Sequence, residues 1–302
     1  MTTFTGCGTA LVTPFRKDQS LDEETLRKLV RRQIQAGINF LVPCGTTGES
    51  PTLTHKEHLR VVEITLEEAE GKVPVLAGAG GYNTAEVIEL AKELNHMGAD
   101  GILSVTPYYN KPTQEGLVQH FKAIAQAVPL PIVVYSIQGR TGVNVEPATL
   151  KRLAEIDNMV GVKEASGNIG QMATVIDYVP ERFAVFSGDD AITIPLIALG
   201  GRGVISVVAN EIPAEFSKLT SLALAGDFAG ARAIQRQWFA LMEVNFCEVN
   251  PGPVKAAMGM MGLLEPVFRL PMVPPAAASA AKIEAVLKST GLLVASRSSH
   301  AD

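Results

Sequence analysis

The chain has 302 residues, of which 47% are hydrophobic and 19% charged, with a formal net charge of −5. Those proportions exclude an intrinsically disordered chain, whose low hydrophobicity and high charge leave too little apolar surface to bury. No Lys/Arg-rich block occurs, so the electrostatic footprint of a nucleic-acid binder is missing, and no run approaches the ~20 apolar residues of a membrane span. The length suits one large α/β domain or two smaller ones. Cys7, Cys44 and Cys247 are odd in number and spaced for neither a disulfide framework nor a zinc site. The opening Met1–Phe15 lacks the basic region of a signal peptide. Reduced thiols in a cytoplasmic protein are the expectation.

A strand near Thr9–Thr13 comes first, then a helix over Asp22–Ala36 with Leu26, Leu29, Val30 and Ile34 on one face. A strand near Asn39–Val42 leads to a helix over Thr54–Glu70, opened by the capping-box pair Thr54 and Glu57. A strand near Val73–Ala77 and a helix over Thr84–Met97 follow. Further strands are predicted near Gly101–Thr106, Ile132–Tyr135, Val160–Lys163, Ala184–Ser187 and Val204–Val208, with Pro147 where a first helical turn tolerates proline. Eight strands alternating with helices is the count of a (β/α)8 TIM barrel, and their continuous apolar runs fit a parallel sheet covered on both faces. The barrel is predicted over residues 1–225 and a helical appendage over 226–295, with helices at Asp227–Phe246, Val254–Met261 and Ala277–Lys288. A turn is predicted at Pro251-Gly252-Pro253, a loop at Pro271–Ala281, and a frayed polar tail at 296–302.

Active sites of such barrels lie at the C-terminal ends of the strands, which shortens the search for chemistry. Lys163 finishes the run Met159-Val160-Gly161-Val162, where desolvation favours the neutral amine that a nucleophile must be. The same lysine could instead pair with Glu164 or reach solvent. Tyr135 finishes the neighbouring run Ile132-Val133-Val134; a phenol there either caps the core or, roughly 4.8 Å away on the adjacent strand, passes protons to the amine. Gly45-Thr46-Thr47-Gly48-Glu49-Ser50 is either an ordinary turn or a cradle of amides and hydroxyls for a carboxylate. Arg140 is either a surface arginine or a bidentate carboxylate clamp.

Other features point elsewhere. Gly78-Ala79-Gly80-Gly81 lacks the third glycine of a dinucleotide loop and reads as a tight turn. Asp189 and Asp190 gather no histidine or further carboxylate, so capping of the next helix is expected rather than metal binding. The acidic run Ser187-Gly188-Asp189-Asp190 argues against a phosphorylated substrate. His55 and His58 share a helix face, with a solvated or hydrogen-bonded role as the default.

Taken together, Gly45–Ser50, Thr106-Pro107-Tyr108-Tyr109-Asn110, Tyr135 with Arg140-Thr141-Gly142, Gly161-Val162-Lys163-Glu164-Ala165-Ser166-Gly167, Ser187-Gly188-Asp189-Asp190 and Asn250-Pro251-Gly252-Pro253-Val254-Lys255 closely resemble the dihydrodipicolinate synthase family. That family belongs to the pyruvate-dependent class I aldolases of the N-acetylneuraminate lyase superfamily. The resemblance runs from about Phe4 to Leu293. It implies a lyase in which Lys163 forms a Schiff base with pyruvate, with no metal or organic cofactor. Tyr135 is implied as proton shuttle, linked through Thr46 to Tyr109 of a neighbouring subunit. Thr47 is implied to hold the pyruvate carboxylate and Arg140 the carboxylate of L-aspartate 4-semialdehyde, with Gly188 and Ile205 beside the lysine. A homotetramer built as a dimer of dimers, acting in diaminopimelate and lysine biosynthesis, is implied as well. Sialic-acid lyases and 2-keto-3-deoxy sugar acid aldolases share the lysine chemistry, and a non-catalytic ligand-binding relative could keep the fold.

Two departures from the family pattern stand out. Ser136-Ile137-Gln138 replaces the usual Asn-Val-Pro, and loss of the proline is expected to loosen the loop carrying Arg140. Ser50, His55, His58, Glu86 and Tyr108 match the family's lysine-feedback positions, but Pro51 and Tyr82 stand where alanine and asparagine are common. Weakened or absent inhibition by lysine is the expectation.

Overall fold

The computed structural model describes residues 4–293; the predicted tail at 296–302 lies outside them. Eight parallel strands form one sheet: β1 (Gly6–Ala10), β2 (Phe40–Val42), β3 (Leu76–Gly78), β4 (Gly101–Val105), β5 (Ile132–Ser136), β6 (Met159–Glu164), β7 (Ala184–Ser187) and β8 (Gly203–Ser206). Their order is β2-β1-β8-β7-β6-β5-β4-β3. A parallel bridge between Leu41 and Val75, with the Leu41 amide donating to Pro74 O and the Gly78 amide to Pro43 O, joins the two ends into a barrel. The predicted (β/α)8 architecture is therefore the observed one.

Helices α1 (Glu23–Gln35), α2 (His55–Ala69), α3 (Thr84–Met97) and α4 (Gln114–Ala127) alternate with the first strands. A short α5 (Gln138–Thr141) precedes α6 (Pro147–Leu153), and α7 (Ile169–Tyr178), α8 (Thr193–Ala198) and α9 (Pro213–Leu224) complete the surrounding ring. Three more follow: α10 (Phe228–Val244), α11 (Gly252–Met260) and α12 (Ala277–Ser289). The capping box predicted at Thr54 and Glu57 forms reciprocally and starts α2. The turn predicted at Pro251-Gly252-Pro253 is shorter than expected, because Gly252 and Pro253 already belong to the first turn of α11. A first helical turn has no intrahelical acceptor for its amides, so a proline there loses nothing.

Three strand boundaries differ from the prediction for identifiable reasons. β1 starts at Gly6 and stops at Ala10, because Val12 and Thr13 leave the ladder for side-chain and loop partners: the Val12 amide donates to Asn210 Oδ1 and Thr13 Oγ1 to Gly48 O. β3 starts at Leu76, since Pro74 has no amide to give and the Val75 amide goes to Asp100 Oδ2. β8 ends at Ser206, where Val208–Asn210 winds into a 3-10 turn.

Two apolar layers hold the barrel. Outside it, strand residues such as Ile102, Val134 and Val162 pack against the helices. Inside, Phe4, Phe40, Leu76, Leu103, Val133, Phe186 and Ile205 fill the interior, and Phe40 meets Phe4 and Phe186 edge-on with ring centroids 5.5 and 5.6 Å apart. Phe4 also lies against the start of β4, so it closes the N-terminal end of the barrel. A third cluster of Val12, Val207, Val254, Met258 and Leu264 seats α11 on the loops that follow β1 and β8. The appended helices thereby reach the C-terminal face, where the reactive candidates gather.

Candidate active site

The register of β6 determines which way its lysine points. Along β5, Val133 and Tyr135 face the interior, while Ile132 and Val134 face the helices. Along β6 the simple alternation breaks: Met159 packs outward and Val160 against the interior, yet Val162 packs outward again. The cause is a one-residue irregularity, with Ile132 opposite Met159 and Val133 opposite Gly161. An extra residue reverses the face of everything after it. Gly161 suits this place, because a Cβ there would stand 2.4 Å from Ala184 O. Tyr135 and Lys163 consequently pair across the sheet on the inner face.

Lys163 is 4% exposed and Tyr135 5%, and the lysine Nζ lies 4.3 Å from the centre of the tyrosine ring. Glu164 does not pair with it. None of the ion pairs among the described residues includes Lys163. The Glu164 carboxylate instead accepts from Gln171 Nε2 at 2.7 Å and from the Ser166 amide at 3.2 Å, and burial raises its pKa above the ordinary value. The amine is thus left beside a phenol in a desolvated interior, without a fixed counter-charge. Ile205 on β8 belongs to the same interior cluster. Gly188, just beyond β7, donates its amide to Glu164 O at 2.8 Å, and a Cβ there would meet Ala165 Cβ at 2.5 Å.

A cleft of about 330 Å³ opens at this end of the barrel. Thr46, Ser50, His58, Tyr108, Tyr135 and Arg140 all contribute to its lining. Thr47, next in the chain to the lining residue Thr46, is buried, and Arg140 is exposed. The loop after β5, predicted to be loosened by Ser136-Ile137-Gln138, closes into α5: the Arg140 and Thr141 amides donate to Ile137 O and the Gly142 amide to Gln138 O. None of these three bonds uses the Gln138 amide, so a proline's missing donor is not needed to order the turn. Arg140 Nη2 then donates to Asn250 O at 2.8 Å.

Tyr109 stands apart. It is 89% exposed, and its φ of +63° is a left-handed conformation that non-glycine residues adopt sparingly. Tyr108 turns inward, its ring edge-on to Tyr82 at 5.2 Å. These two, with His55, His58 and Glu86, line a second cleft of about 380 Å³ that shares His58 and Tyr108 with the first. His58 Nε2 is 2.8 Å from Gly78 O, and burial lowers its pKa despite that bond. His55 Nε2 lies 2.7 Å from Glu93. Both histidines therefore have the hydrogen-bonded roles expected of them.

Asp190 does not cap the helix that follows. Its carboxylate is buried and accepts from the Val207 and Val208 amides at 3.2 and 2.8 Å, tying the β7 loop to the turn after β8. Burial pushes it up to about 6, against the lowering effect of those bonds. No group of three or more His, Cys, Asp or Glu suited to a metal ion occurs among the described residues.

Three residues that the sequence reading carried only as members of motifs make long-range contacts at the barrel mouth. Glu49, in the Gly45–Ser50 loop, forms a fully buried ion pair with Lys255 of α11. Asn250, before α11, donates from Nδ2 to Thr47 Oγ1 at 3.0 Å. Their partners lie some 200 positions away in the chain, beyond the reach of local patterns, although a lysine inside the apolar stretch Val254–Ala257 is itself a signal of a buried pair.

The dihydrodipicolinate synthetase family model matches residues 3–290. The 4-hydroxy-tetrahydrodipicolinate synthase of Koribacter versatilis is 54% identical over 289 residues, covering 95% of this chain and 96% of that protein. The same enzyme of Chloroherpeton thalassium is 50% identical over 292 residues, covering 96% and 97%. A solved structure of the chloride-inhibited dihydrodipicolinate synthase from Acinetobacter baumannii, complexed with pyruvate, matches with a TM-score of 0.95 at 44% identity, covering 96% of this chain and 100% of that one. The inward lysine, the paired tyrosine and the matched length agree, and the chain belongs to the dihydrodipicolinate synthetase family.

Proposed function

We propose that this chain catalyses the 4-hydroxy-tetrahydrodipicolinate synthase reaction, condensing pyruvate with L-aspartate 4-semialdehyde in lysine and diaminopimelate biosynthesis. The observation that carries it is the buried Lys163 amine set against the ring of Tyr135, a residue that lines the cleft together with Thr46 and Arg140.

In this reading the neutral Lys163 amine attacks the keto carbon of pyruvate, and the carbinolamine loses water to form an imine. Tyr135, relayed through Thr46, delivers the proton that lets hydroxide leave as water. Loss of a methyl proton gives an enamine, which forms the new carbon–carbon bond at the aldehyde carbon. The amine of the second substrate then displaces Lys163 at the former keto carbon, closing the ring and freeing the enzyme. Thr47 holds the pyruvate carboxylate and Arg140 that of the aldehyde. Gly188 and Ile205 shape the wall around the lysine. The chemistry needs no metal or organic cofactor.

Exposure of the Tyr109 ring supports its entry into a second copy's cleft, extending the relay Tyr135–Thr46–Tyr109 across a dimer, and a tetramer of two such dimers is the proposed assembly. The second cleft, lined by His55, His58, Glu86 and Tyr108 and narrowed by the Tyr82 ring, is the proposed effector site, with Ser50 contributing from the adjoining first cleft. Residues 1–225 are proposed as the catalytic barrel and 226–295 as a helical appendage that braces it. Such a biosynthetic enzyme belongs in the cytoplasm.

The deciding experiment is a coupled assay of pyruvate with L-aspartate 4-semialdehyde, run beside cleavage of sialic acid and of 2-keto-3-deoxygluconate. Turnover of the aldehyde pair alone supports the reading. Preferential cleavage of either sugar acid assigns the chain to another pyruvate aldolase activity and rejects it.

A further inference from the structure

Asn250 belongs to none of the barrel strands, yet it touches both residues proposed to hold substrate carboxylates. It is buried in the segment between α10 and α11. Its side-chain Nδ2 donates to Thr47 Oγ1 at 3.0 Å, and its backbone carbonyl accepts from Arg140 Nη2 at 2.8 Å. One residue of the appended helices thus holds the first-substrate site by its side chain and the second-substrate site by its backbone.

The two contacts differ in chemical consequence. A threonine hydroxyl has one proton to give and two lone pairs to fill. With the Asn250 amide on one lone pair, the Thr47 proton stays available for another acceptor. Turned the other way, Asn250 Oδ1 would draw that proton to itself and leave only lone pairs facing a carboxylate. In the observed orientation Oδ1 is buried without a donor among the described residues. A buried carbonyl left unpaired is a penalty that a functional arrangement can retain.

We propose that Asn250 is a positioning residue for the condensation: by donating to Thr47 Oγ1 it commits that hydroxyl to donate to the keto-acid carboxylate. This rests on the Lys163 Schiff-base reading given above. Because the Arg140 contact uses the backbone, changing the side chain separates the two substrates. Asn250→Ala removes the amide and leaves the carbonyl in place.

The test measures KM for pyruvate and for L-aspartate 4-semialdehyde in the wild type, Asn250→Ala, Asn250→Asp, Thr47→Val and the Asn250→Ala/Thr47→Val double variant. Asn250→Ala is expected to raise KM for pyruvate about fivefold or more, as loss of one hydrogen bond would. KM for the aldehyde should move less than about twofold, and adding Asn250→Ala to Thr47→Val should likewise change pyruvate KM by less than about twofold. Asn250→Asp, which can only accept at neutral pH, should raise KM for pyruvate beyond the alanine value. Parallel rises in both KM values, equal effects with and without the Thr47 hydroxyl, or a wild-type pyruvate KM in Asn250→Asp would each overturn the proposal. If the alanine protein does not fold, Asn250→Ser, too short to span the same gap, takes its place with the same expectations. Borohydride trapping of pyruvate on the wild type separates the two levels. No adduct rejects the Schiff base and the proposal with it, whereas an adduct beside unmoved KM values rejects Asn250 alone.

Discussion

Lys255→Met should destabilise this protein far more than a single surface contact would, and in a pH-dependent way. The Lys255 ammonium is fully buried and donates to Glu49 Oε1 at 2.5 Å, Val267 O at 2.8 Å and Thr13 O at 3.1 Å. It also lies 4.5 Å from the Phe15 ring centroid and 5.2 Å from that of Phe268. Burial lowers its pKa, and the neighbouring Glu49 carboxylate opposes that. Methionine preserves the volume between the two rings but offers no donor, so the Glu49 carboxylate is left buried and uncompensated. Removing one partner of a buried pair costs about 3–5 kcal/mol. The variant can escape by protonating the carboxyl, which for an acid of ordinary pKa costs about 3.7 kcal/mol at pH 7. The two routes agree on about 4 kcal/mol, or a fall in Tm of roughly 8 °C or more. At pH 5 the protonation route costs only about 1 kcal/mol, so most of the deficit should vanish there. Calorimetry of the wild type, Lys255→Met and Glu49→Gln/Lys255→Met at both pH values checks this, with the double variant recovering most of the loss. A Tm unchanged at pH 7, or a double variant no better than the single one, would refute the reasoning.

Burial, reinforced by the nearby Asp190 charge, pushes the Glu211 carboxyl from 4.5 up to about 8, against the hydrogen bond from Asn245. The folded state therefore keeps a proton that the unfolded chain releases; the contribution is complete below pH 4.5 and is lost as the pH rises towards about 8. Glu211→Gln should flatten the decline of the urea midpoint between pH 5 and pH 8, and an identical decline in the variant contradicts this. Gly188→Ala forces a Cβ to within 2.5 Å of Ala165 Cβ beside the end of β6, so kcat should fall by about tenfold or more, read in the coupled assay. Thr54→Ala removes half of the α2 capping box and should cost about 1 kcal/mol of stability without changing KM, measured by urea unfolding beside steady-state kinetics. With Tyr82 packed on Tyr108 in the second cleft, lysine should inhibit weakly or not at all, and an inhibition constant in the sub-millimolar range would contradict that.

The barrel was legible because buried parallel strands leave a blunt signal, short Val- and Ile-rich runs between amphipathic helices. The site was legible in part for the same reason, since placing Tyr135 and Lys163 at adjacent strand ends implies that they meet. The phase of β6 was not legible. Met159-Val160-Gly161-Val162 is apolar on both faces, so nothing local marks where the extra residue falls or that Lys163 turns inward because of it. Asp190 misled for a related reason: an acidic residue before a helix resembles a cap, and only the fold reveals the amides of Val207 and Val208 above it. The bracing of the Gly45–Ser50 loop by Asn250 and Lys255 depends on how α11 settles onto the barrel mouth, a tertiary choice with no periodicity to betray it.

The central claim is that the Lys163 amine forms an imine with pyruvate. Incubating the wild type and Lys163→Ala with pyruvate and borohydride, followed by intact-mass and peptide mapping, tests it directly. One reduced pyruvate on the wild type, located at Lys163 and missing from Lys163→Ala, is the predicted result. An unmodified wild type, or an adduct that survives in Lys163→Ala, would contradict it.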